Sequence, residues 1–485
     1  MTAEAPRDFP KLPENIRKIH IIGVCGTGMG SLAAMLKARG YDVRGSDAGA
    51  YPPMSDWLEE QKIPLMRGYD AANLDWGPDL VIVGNVCRAE YADAVAMRER
   101  EIPHLSFPEA LYHFFMQGKR NLVVSGTHGK TTTTSMLAWM TTQAGLDPSF
   151  MVGGITGNFG TNYRLGDGGL FVVEGDEYDT AYFDKVPKFW HYAPNRLLIN
   201  NIEFDHADIY ADVRAIEHVF ERLVSLVPPS GSIWINGDDA RCHHVTKHAS
   251  CAVRTFGLGE DNDLRAVDIE YGQQTSCEVL FDGESLGKFE LQTLGEFNVR
   301  NMLGAIALGL DESISVSDMR ESLATFVSTR KRQELIGEVQ NIKVFDDFAH
   351  HPTAVEATIL ALKARFPNQR LWAIFEAKSN TSRRKVFQNE YPNGFKHADR
   401  VILSRPFQKN DNLSPEERLD IEELAASIQA LGPDTLLIPD VQDIVDFVAA
   451  NAQEGDVIVG LSGSAFDGLH GKIVTALKKR FSAPT

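Results

Sequence analysis

No run of about 18 apolar residues, the length a membrane-spanning helix needs, occurs in the 485-residue sequence. Its opening, MTAEAPRDFPKLPENIRK, has no apolar stretch of the kind a secretory leader carries. Cysteine is scarce. Cys25, Cys87, Cys242, Cys251 and Cys277 are odd in number, widely spaced and without a C-x-x-C pair. They read as reduced thiols in a reducing compartment. The expectation is a cytoplasmic protein with no membrane insertion. Basic charge is also short. Lys and Arg total 48 against 66 Asp and Glu, a formal net charge of −18. That balance opposes nonspecific binding to nucleic acid or anionic lipid. It leaves anionic small molecules open, because local N–H groups and a few cations decide their binding. Low-complexity stretches and repeated motifs are missing as well. With 43% hydrophobic residues the chain can pack interiors, and its length suggests about three domains.

Three segments read as α/β units. In the first, to about Met116, "KIHIIGV" is a buried-strand pattern followed by a glycine-rich turn and a helix to about Arg39. "YDVRGSD" and "DLVIVGN" are further strands. Strands alternating with helices imply a parallel sheet covered on both faces. The second segment opens at "KRNLVVSGTHGK" and holds the strands "GLFVVEGDE" and "RLLINNIEFDH" and a helix over Val213–Val227. From about Ala252 to Leu294, short alternating runs predict antiparallel strands, and "NVRNMLGAIALGL" predicts a helix. The third segment, from about Glu334, shows "IKVFDDFAHH", "RLWAIFEA", "RVILSRP", "TLLIPD" and "DVIVGLSG", again a doubly wound sheet. The expected domains are residues 1–118, 119–333 and 334–485. The fold class is α/β: Rossmann-like outer domains and a central P-loop domain with added antiparallel strands.

"VVSGTHGKTTTT" carries the strongest chemical signal. A strand, a glycine turn, Gly-Lys-Thr and a helix make a phosphate cradle, because N–H groups at a helix N-terminus and the helix dipole favour negative charge. Gly126, Thr127, His128, Gly129, Lys130, Thr131 and Thr132 form it. Lys130 adds a charge that reaches the β- and γ-phosphates, and the Thr131 hydroxyl suits Mg²⁺. The usual loop has glycine at position 124; here it is Val124, so the loop is a variant. Glu174, Asp176 and Glu177 in "VVEGDEYD", and Asp205 and His206 in "NNIEFDHAD", end two further strands. Carboxylate and imidazole there suit a metal–phosphate site. "GVCGTGMG" also opens a helix, yet Ser31 stands where G-x-G-x-x-G needs its third glycine. Both a nucleotide site, with Asp47 on a ribose, and a structural tight turn fit it. "DDFAHHP" puts Asp346, Asp347, His350 and His351 at a strand-to-helix turn. It reads as a site or as polar capping.

Taken in order, "HIIGVCGTGMGSLA", "GTHGKTTTT", "NNIEFDHAD", "GEFNVRN" and "DDFAHHPTAV" resemble the muramyl ligase family along nearly the whole chain. These are ATP-dependent, amide-forming enzymes of peptidoglycan metabolism. One branch attaches L-alanine to UDP-N-acetylmuramate. Another attaches the murein tripeptide L-alanyl-γ-D-glutamyl-meso-diaminopimelate to the same sugar nucleotide. "EGDEYDTAYFDK" and the "SNT" of "EAKSNTSRR" resemble the peptide-adding branch; the alanine branch usually shows "EADESDASF" at the first. Lys378, where arginine is expected, and Ser464 and Asp467, where glycines are usual, depart from the pattern. No lysine occurs from Arg196 to Thr246, so the carbamylated lysine of some relatives is absent.

The resemblance implies that Gly26, Thr27, Gly28, Met29, Gly30, Ser46 and Asp47 hold the UDP-sugar. It implies ATP on the phosphate loop, with Asn298 at the adenine and Arg330 and Asp346 near phosphate and ribose. Whether Asp346 or Asp347 touches the ribose stays open. Thr131, Glu174 and His206 are the expected contacts of Mg²⁺, direct or through water, and Lys130, Glu174 and His206 the catalytic group. Lys378, Asn380, Thr381 and Arg383 are expected to receive the peptide. The alternatives are the alanine-adding ligase, a nicotinamide-dependent oxidoreductase built on the first glycine loop, and a non-catalytic sensor of UDP-sugar or ATP.

Overall fold

A computed structural model describes residues 12–51, 54–407 and 413–482. The first eleven residues and the last three, which the expected domain ranges include, lie outside the described residues. Three sheets organise the chain. The first is five-stranded and parallel throughout, in the order Leu65–Arg67, Asp42–Asp47, Lys18–Ile22, Leu80–Val83, His104–Ser106. Ile19, Ile21 and Ile22 are all buried, as a strand covered on both faces requires. The helix Thr27–Ala38 starts straight after the turn. It stops at Arg39–Gly40, where Gly40 at φ +94° can enter the left-handed region. Gly40 N–H then bonds Lys37 O (2.9 Å) and Tyr41 N–H bonds Leu36 O (3.3 Å), a Schellman closure. Strand order reverses beside Lys18–Ile22, so the crevice of this unit lies at the carboxyl ends of Lys18–Ile22 and Leu80–Val83.

The central sheet has ten strands. Arg120–Ser125 lies between Arg196–Ile199 and Leu170–Glu174, parallel to both. Their three carboxyl ends therefore open on one side. The helices Lys130–Gln143 and Glu296–Asp311 share one core cluster with Leu122, Val124, Val172 and Leu198. The expected antiparallel run from Ala252 is a mixed one. Ala252–Gly257 continues the parallel sheet beside Ser232–Asn236, and only Leu264–Tyr271, Thr275–Phe281 and Glu284–Leu291 form the antiparallel meander. The strand expected through "RLLINNIEFDH" stops at Ile199, because residues from Asn200 on turn across the phosphate loop.

The third sheet runs Glu334–Val339, Ile342–Asp347, Val457–Leu461, Leu371–Phe375, Arg400–Leu403, Asp434–Leu437. All pairs are parallel except the first, which is antiparallel. The two unusual residues of "LSGSAFDGLHGK" have local roles. Ser464 Oγ donates to Glu376 Oε2 (2.9 Å). Asp467 sits at φ +47°, a left-handed conformation that glycine takes freely and aspartate tolerates.

Candidate functional site

The three strand ends of the central sheet and two loops of the third unit enclose a cavity of about 1360 Å³. The phosphate loop forms its floor. Gly126 (φ +126°) and Gly129 (φ +83°) both need the left-handed side of backbone space. Space forbids a side chain there as well. A Cβ on Gly129 would meet Asn301 Oδ1 at 2.2 Å, and one on Gly126 would meet the Asn200 and Asn201 backbone N atoms at 3.0 Å. Three asparagines clamp the loop. Asn201 Oδ1 accepts from His128 N–H (2.8 Å), and Asn200 and Asn201 each donate to His128 O (3.2 Å). Asn301 is tied to Asn298 (3.1 Å) and accepts from Thr133 (3.2 Å). These contacts preorganise the loop. Its sequence announced the glycines, but the asparagines come from elements far along the chain.

Lys130 folds back over the loop and donates to Gly126 O (2.7 Å), Thr127 O (3.2 Å) and Glu177 (2.8 Å). Burial works against its ammonium, yet Glu177 and Asp176 hold its pKa above the ordinary value. Glu177 also meets His206 Nε2 at 3.1 Å. Its carboxylate is buried, but Lys130 and His206 hold its pKa down. His206 is pulled the other way: despite desolvation, Glu177 and Asp205 raise it. The His206 backbone sits at φ +53°, a strained conformation for a non-glycine residue that clusters at functional sites. Glu174 accepts from Thr131 Oγ1 (2.8 Å) and from Gly153 N–H (2.6 Å). Burial and then Asp176 raise its pKa. Arg332, absent from the sequence expectations, donates to Thr131 Oγ1 (3.3 Å), and its guanidinium lies over Phe348.

Of the expected ATP residues, Thr127 through Thr132, Asn298 and Arg330 line this cavity, and Gly126 lies beneath Lys130. Asp346 does not. Side chains alternate along a strand, so Asp347 lines the cavity while Asp346 turns to the opposite face, 3.4 Å from His470. Burial pushes the Asp346 carboxyl up to about 6. Asp347 accepts from Gln333 N–H (2.8 Å) and Ala349 N–H (2.8 Å), fixing the linker between the units. Of the two aspartates between which the sequence left the ribose contact open, Asp347 is the one on the cavity side. In the expected metal set, Thr131 and Glu174 touch, whereas His206 faces Glu177. Glu177, not the sequence-favoured Glu174, bridges Lys130 and His206.

Asn380 and Thr381 reach the cavity. Asn380 donates to Asp208 (2.6 Å), and Thr381 Oγ1 accepts from Ala207 N–H (3.2 Å). Lys378 and Arg383 do not line it. Lys378 lies over the Phe407 ring. Arg383 is buried in its own loop and donates to Asn380 Oδ1 (3.3 Å). The cationic groups that do line the cavity include Arg241, Arg300, Arg330 and Lys331.

The first glycine turn is a separate place. Gly26 precedes the helix in extended backbone, and Thr27 is exposed at its first turn. Gly28 and Gly30 admit neighbours: a Cβ would meet Phe107 at 3.4 Å and Met54 at 2.7 Å respectively. Met29 is buried. Asp47 accepts from Cys25 N–H (2.9 Å) and Gly49 N–H (2.7 Å), holding the turn from the next strand. Ser46 is fully buried between Asp93 (2.7 Å) and His20 (3.1 Å) and does not face the crevice. The residue expected at the UDP-sugar is thus held in a buried hydrogen-bonded contact.

A phosphate loop facing a second α/β unit across one cavity is the layout of an ATP-using enzyme. Models of the Mur ligase family match in three successive pieces: the catalytic domain over residues 18–119, the middle domain over 124–309 and the glutamate ligase domain over 331–464. The chain belongs to the Mur ligase family. It is 39% identical over 467 residues to the UDP-N-acetylmuramate–L-alanyl-γ-D-glutamyl-meso-2,6-diaminoheptandioate ligase of Escherichia coli, covering 96% of this chain and 99% of that one. It is 32% identical to the UDP-N-acetylmuramate–L-alanine ligase of Desulfitobacterium hafniense, covering 91% and 96%. Among solved structures, a murein peptide ligase from Psychrobacter arcticus matches with a TM-score of 0.71 and 34% identity, covering 95% of this chain and 98% of that one.

Proposed function

We propose that this protein is an ATP-dependent ligase that joins UDP-N-acetylmuramate to L-alanyl-γ-D-glutamyl-meso-diaminopimelate in peptidoglycan recycling. The observation that carries the reading is the cavity in which the phosphate loop of the central unit meets Asn380 and Thr381 of the third. The higher identity to the peptide-adding relative than to the alanine-adding one supports the amine. Both ATP and UDP-activated sugars are cytoplasmic metabolites, and the reaction belongs in that compartment. The domains divide near residues 118 and 333.

The muramyl carboxylate is a poor acylating agent, because oxide is a poor leaving group. Transfer of the γ-phosphoryl group from ATP converts it to an acyl phosphate. The free α-amine of the tripeptide attacks the acyl carbon, and phosphate departs from the tetrahedral intermediate. Lys130 neutralises charge growing on the transferred phosphoryl oxygens, an electrostatic task for a preorganised site. Glu177 positions both Lys130 and His206. Arg332 adds a second cation beside Thr131. Asn298 faces the adenine, and Asp347, as the acid on the cavity side, faces the ribose. In the first unit the turn Gly26–Gly30 receives the pyrophosphate of the UDP-sugar through backbone N–H groups, with Asp47 holding the turn.

Thr131 Oγ1 and Glu174 are in contact, with Glu174 buried and its pKa raised by burial and by Asp176, and they form a hydroxyl–carboxylate pair. That donor set fits a hard divalent cation. Thr131 and Glu174 would hold Mg²⁺, with His206 reaching it through water; Mg²⁺ there supplies charge neutralisation to the phosphates. An exposed acyl phosphate hydrolyses, so the linker 327–333 and the Phe348–His351 turn serve to exclude water around the reacting groups.

The test is ADP release with UDP-N-acetylmuramate and a panel of amines: L-alanine, the tripeptide, a tetrapeptide and glutamate. The tripeptide is expected to give the highest kcat/KM. Alanine outcompeting it would overturn the amine assignment, and ADP release that needs no sugar nucleotide would overturn the ligase reading.

A further inference from the structure

Beside the phosphate loop, on the seam with the third unit, two imidazoles and a carboxylate converge. His128 Nε2 is 3.1 Å from Glu203 Oε2, and His351 Nδ1 is 3.5 Å from the same oxygen. The ligand atoms of His128, Glu203 and His351 all lie within 4.8 Å of one another, and the two imidazole centroids are 4.7 Å apart. We propose that these three residues form a binding site for a borderline divalent transition ion such as Zn²⁺, distinct from the Thr131–Glu174 pair and able to tie the phosphate loop to the third unit.

The geometry is close to what such an ion needs. Ligands about 2.0–2.2 Å from a tetrahedral zinc stand about 3.4 Å from each other. Two of the three separations, 3.1 and 3.5 Å, bracket that figure, and the two imidazole ligand atoms lie within 4.8 Å of each other. The outer contacts are those of a metal-binding histidine. His351 Nε2 is 3.1 Å from Phe204 O. A proton on Nε2 serves that carbonyl and leaves Nδ1 unprotonated, the tautomer a ligand requires. Thr353 N–H lies 3.3 Å from the same Nδ1, a long contact that an ion would displace. Glu203 is steered by the Thr353 hydroxyl, which donates to Oε2 (2.9 Å). His351 is buried and His128 and Glu203 half-buried, so the site is partly desolvated yet opens on the cavity that all three line. Two nitrogens and one oxygen favour zinc-like ions over Mg²⁺, which prefers an all-oxygen shell. The remaining position faces the cavity, where water or a phosphate oxygen completes the shell.

A consequence follows from where the ligands sit. His128 belongs to the phosphate loop, Glu203 to the loop after Arg196–Ile199, and His351 caps the helix Pro352–Arg365 of the third unit. An ion bound to all three holds the third unit against the loop, so zinc is expected to slow turnover in a way that added Mg²⁺ does not relieve.

The full chain is titrated with Zn²⁺ by calorimetry in saturating Mg²⁺, and with Co²⁺ by visible absorption. One equivalent is expected, with the intense d–d bands of a four-coordinate ion. E203Q and H351N are each expected to weaken binding about tenfold or more, while H206A leaves it within about twofold. Thermal melts establish that each variant is folded, and H128Q provides a third ligand deletion if one of the others is not. Absence of stoichiometric binding by the wild type overturns the proposal. So does loss of binding in H206A with retention in E203Q and H351N, or equal loss in all variants. Because binding is read without turnover, failure here is separate from failure of the ligase assignment.

Discussion

The turn after Lys18–Ile22 and the turn after Arg120–Ser125 share a local plan: a buried parallel strand, several glycines, and a helix whose N-terminus faces a crevice. Their glycines do different work. In the first turn only Gly23, at its start, takes positive φ (+82°), while Gly28 and Gly30 have helical backbone and are small so that Phe107 and Met54 can approach. In the second, Gly126 and Gly129 hold positive φ under a clamp of asparagines. The charge differs as well. The first turn has one carboxylate, Asp47, consumed by backbone N–H groups. The second has Lys130 set among Glu174, Asp176 and Glu177. A glycine pattern alone thus marks where backbone comes close to something. The ionisable neighbours set the charge that such a turn offers to what approaches it.

The largest expected effect breaks the two turns apart functionally. In K130A, removal of a preorganised charge at the phosphoryl group is expected to lower kcat about 10²–10³-fold. UDP-sugar affinity, measured by calorimetry, is expected to stay within about twofold, because the proposed function puts that ligand on the other turn. A parallel collapse of both would mean that the turns form one site.

Next comes a stability contrast. In G129A the new Cβ meets Asn301 Oδ1 at 2.2 Å on a φ +83° backbone, so a cost of about 1–3 kcal/mol is expected. In G30A the Cβ meets the Met54 Cε at 2.7 Å, the far end of a flexible side chain. Better helix propensity offsets that contact, leaving a change of about 0.5 kcal/mol or less. Urea midpoints of the two variants measure the difference. Equal losses would show that conformation at the second turn is not the constraint.

Much of this was legible before the structure. The apolar runs bounded by glycine, such as "KIHIIGV" and "DVIVGLSG", placed the parallel strands, since a strand buried on both faces has little choice of residue. The phosphate loop was legible because its glycines, lysine and threonine are contiguous. The clamp was not. Asn200, Asn201 and Asn301 look like ordinary turn and helix residues until sheet order brings three strand ends together. Glu177 was visible as one acid among three, but only the fold selects it as the partner of both Lys130 and His206. The choice between Asp346 and Asp347 rests on strand phase. The motif "DDFAHH" does not state that phase; pairing with Val457–Leu461 fixes it. Lys378 and Arg383 failed as cavity residues for a related reason. A basic run in a loop says nothing about which side chains the loop folds inward.

The smallest expected effect concerns the charge network that distinguishes the second turn. His206 has a raised pKa in the folded chain because Glu177 and Asp205 favour its charged form over the opposing desolvation. A group whose folded pKa lies above its unfolded value adds stability that is fully present below the unfolded pKa, about 6.5 for histidine. That contribution is lost as pH rises through the folded pKa. Glu177 has the opposite sign: its folded pKa is lowered, so its contribution is present above the unfolded value, about 4.3, and lost as pH falls. The wild type is therefore expected to lose a little stability above about pH 6.5, and more on acidification below about pH 4.3. E177Q keeps the shape of the side chain and removes its charge. The mutation leaves the Lys130 ammonium without its nearest carboxylate, and it removes a main cause of the His206 shift. The alkaline loss should then flatten, since His206 would titrate nearer to its unfolded value. Urea unfolding at pH 6, 7 and 8 reads this directly. An unchanged slope between pH 6 and 8 in E177Q would mean that Asp205 alone holds the His206 proton, and that the bridge from Lys130 through Glu177 to His206 is not a single electrostatic unit. A flattened slope with turnover reduced less than in K130A would place Glu177 as the residue that positions the other two, which is the role that the first glycine turn has no charged counterpart to fill.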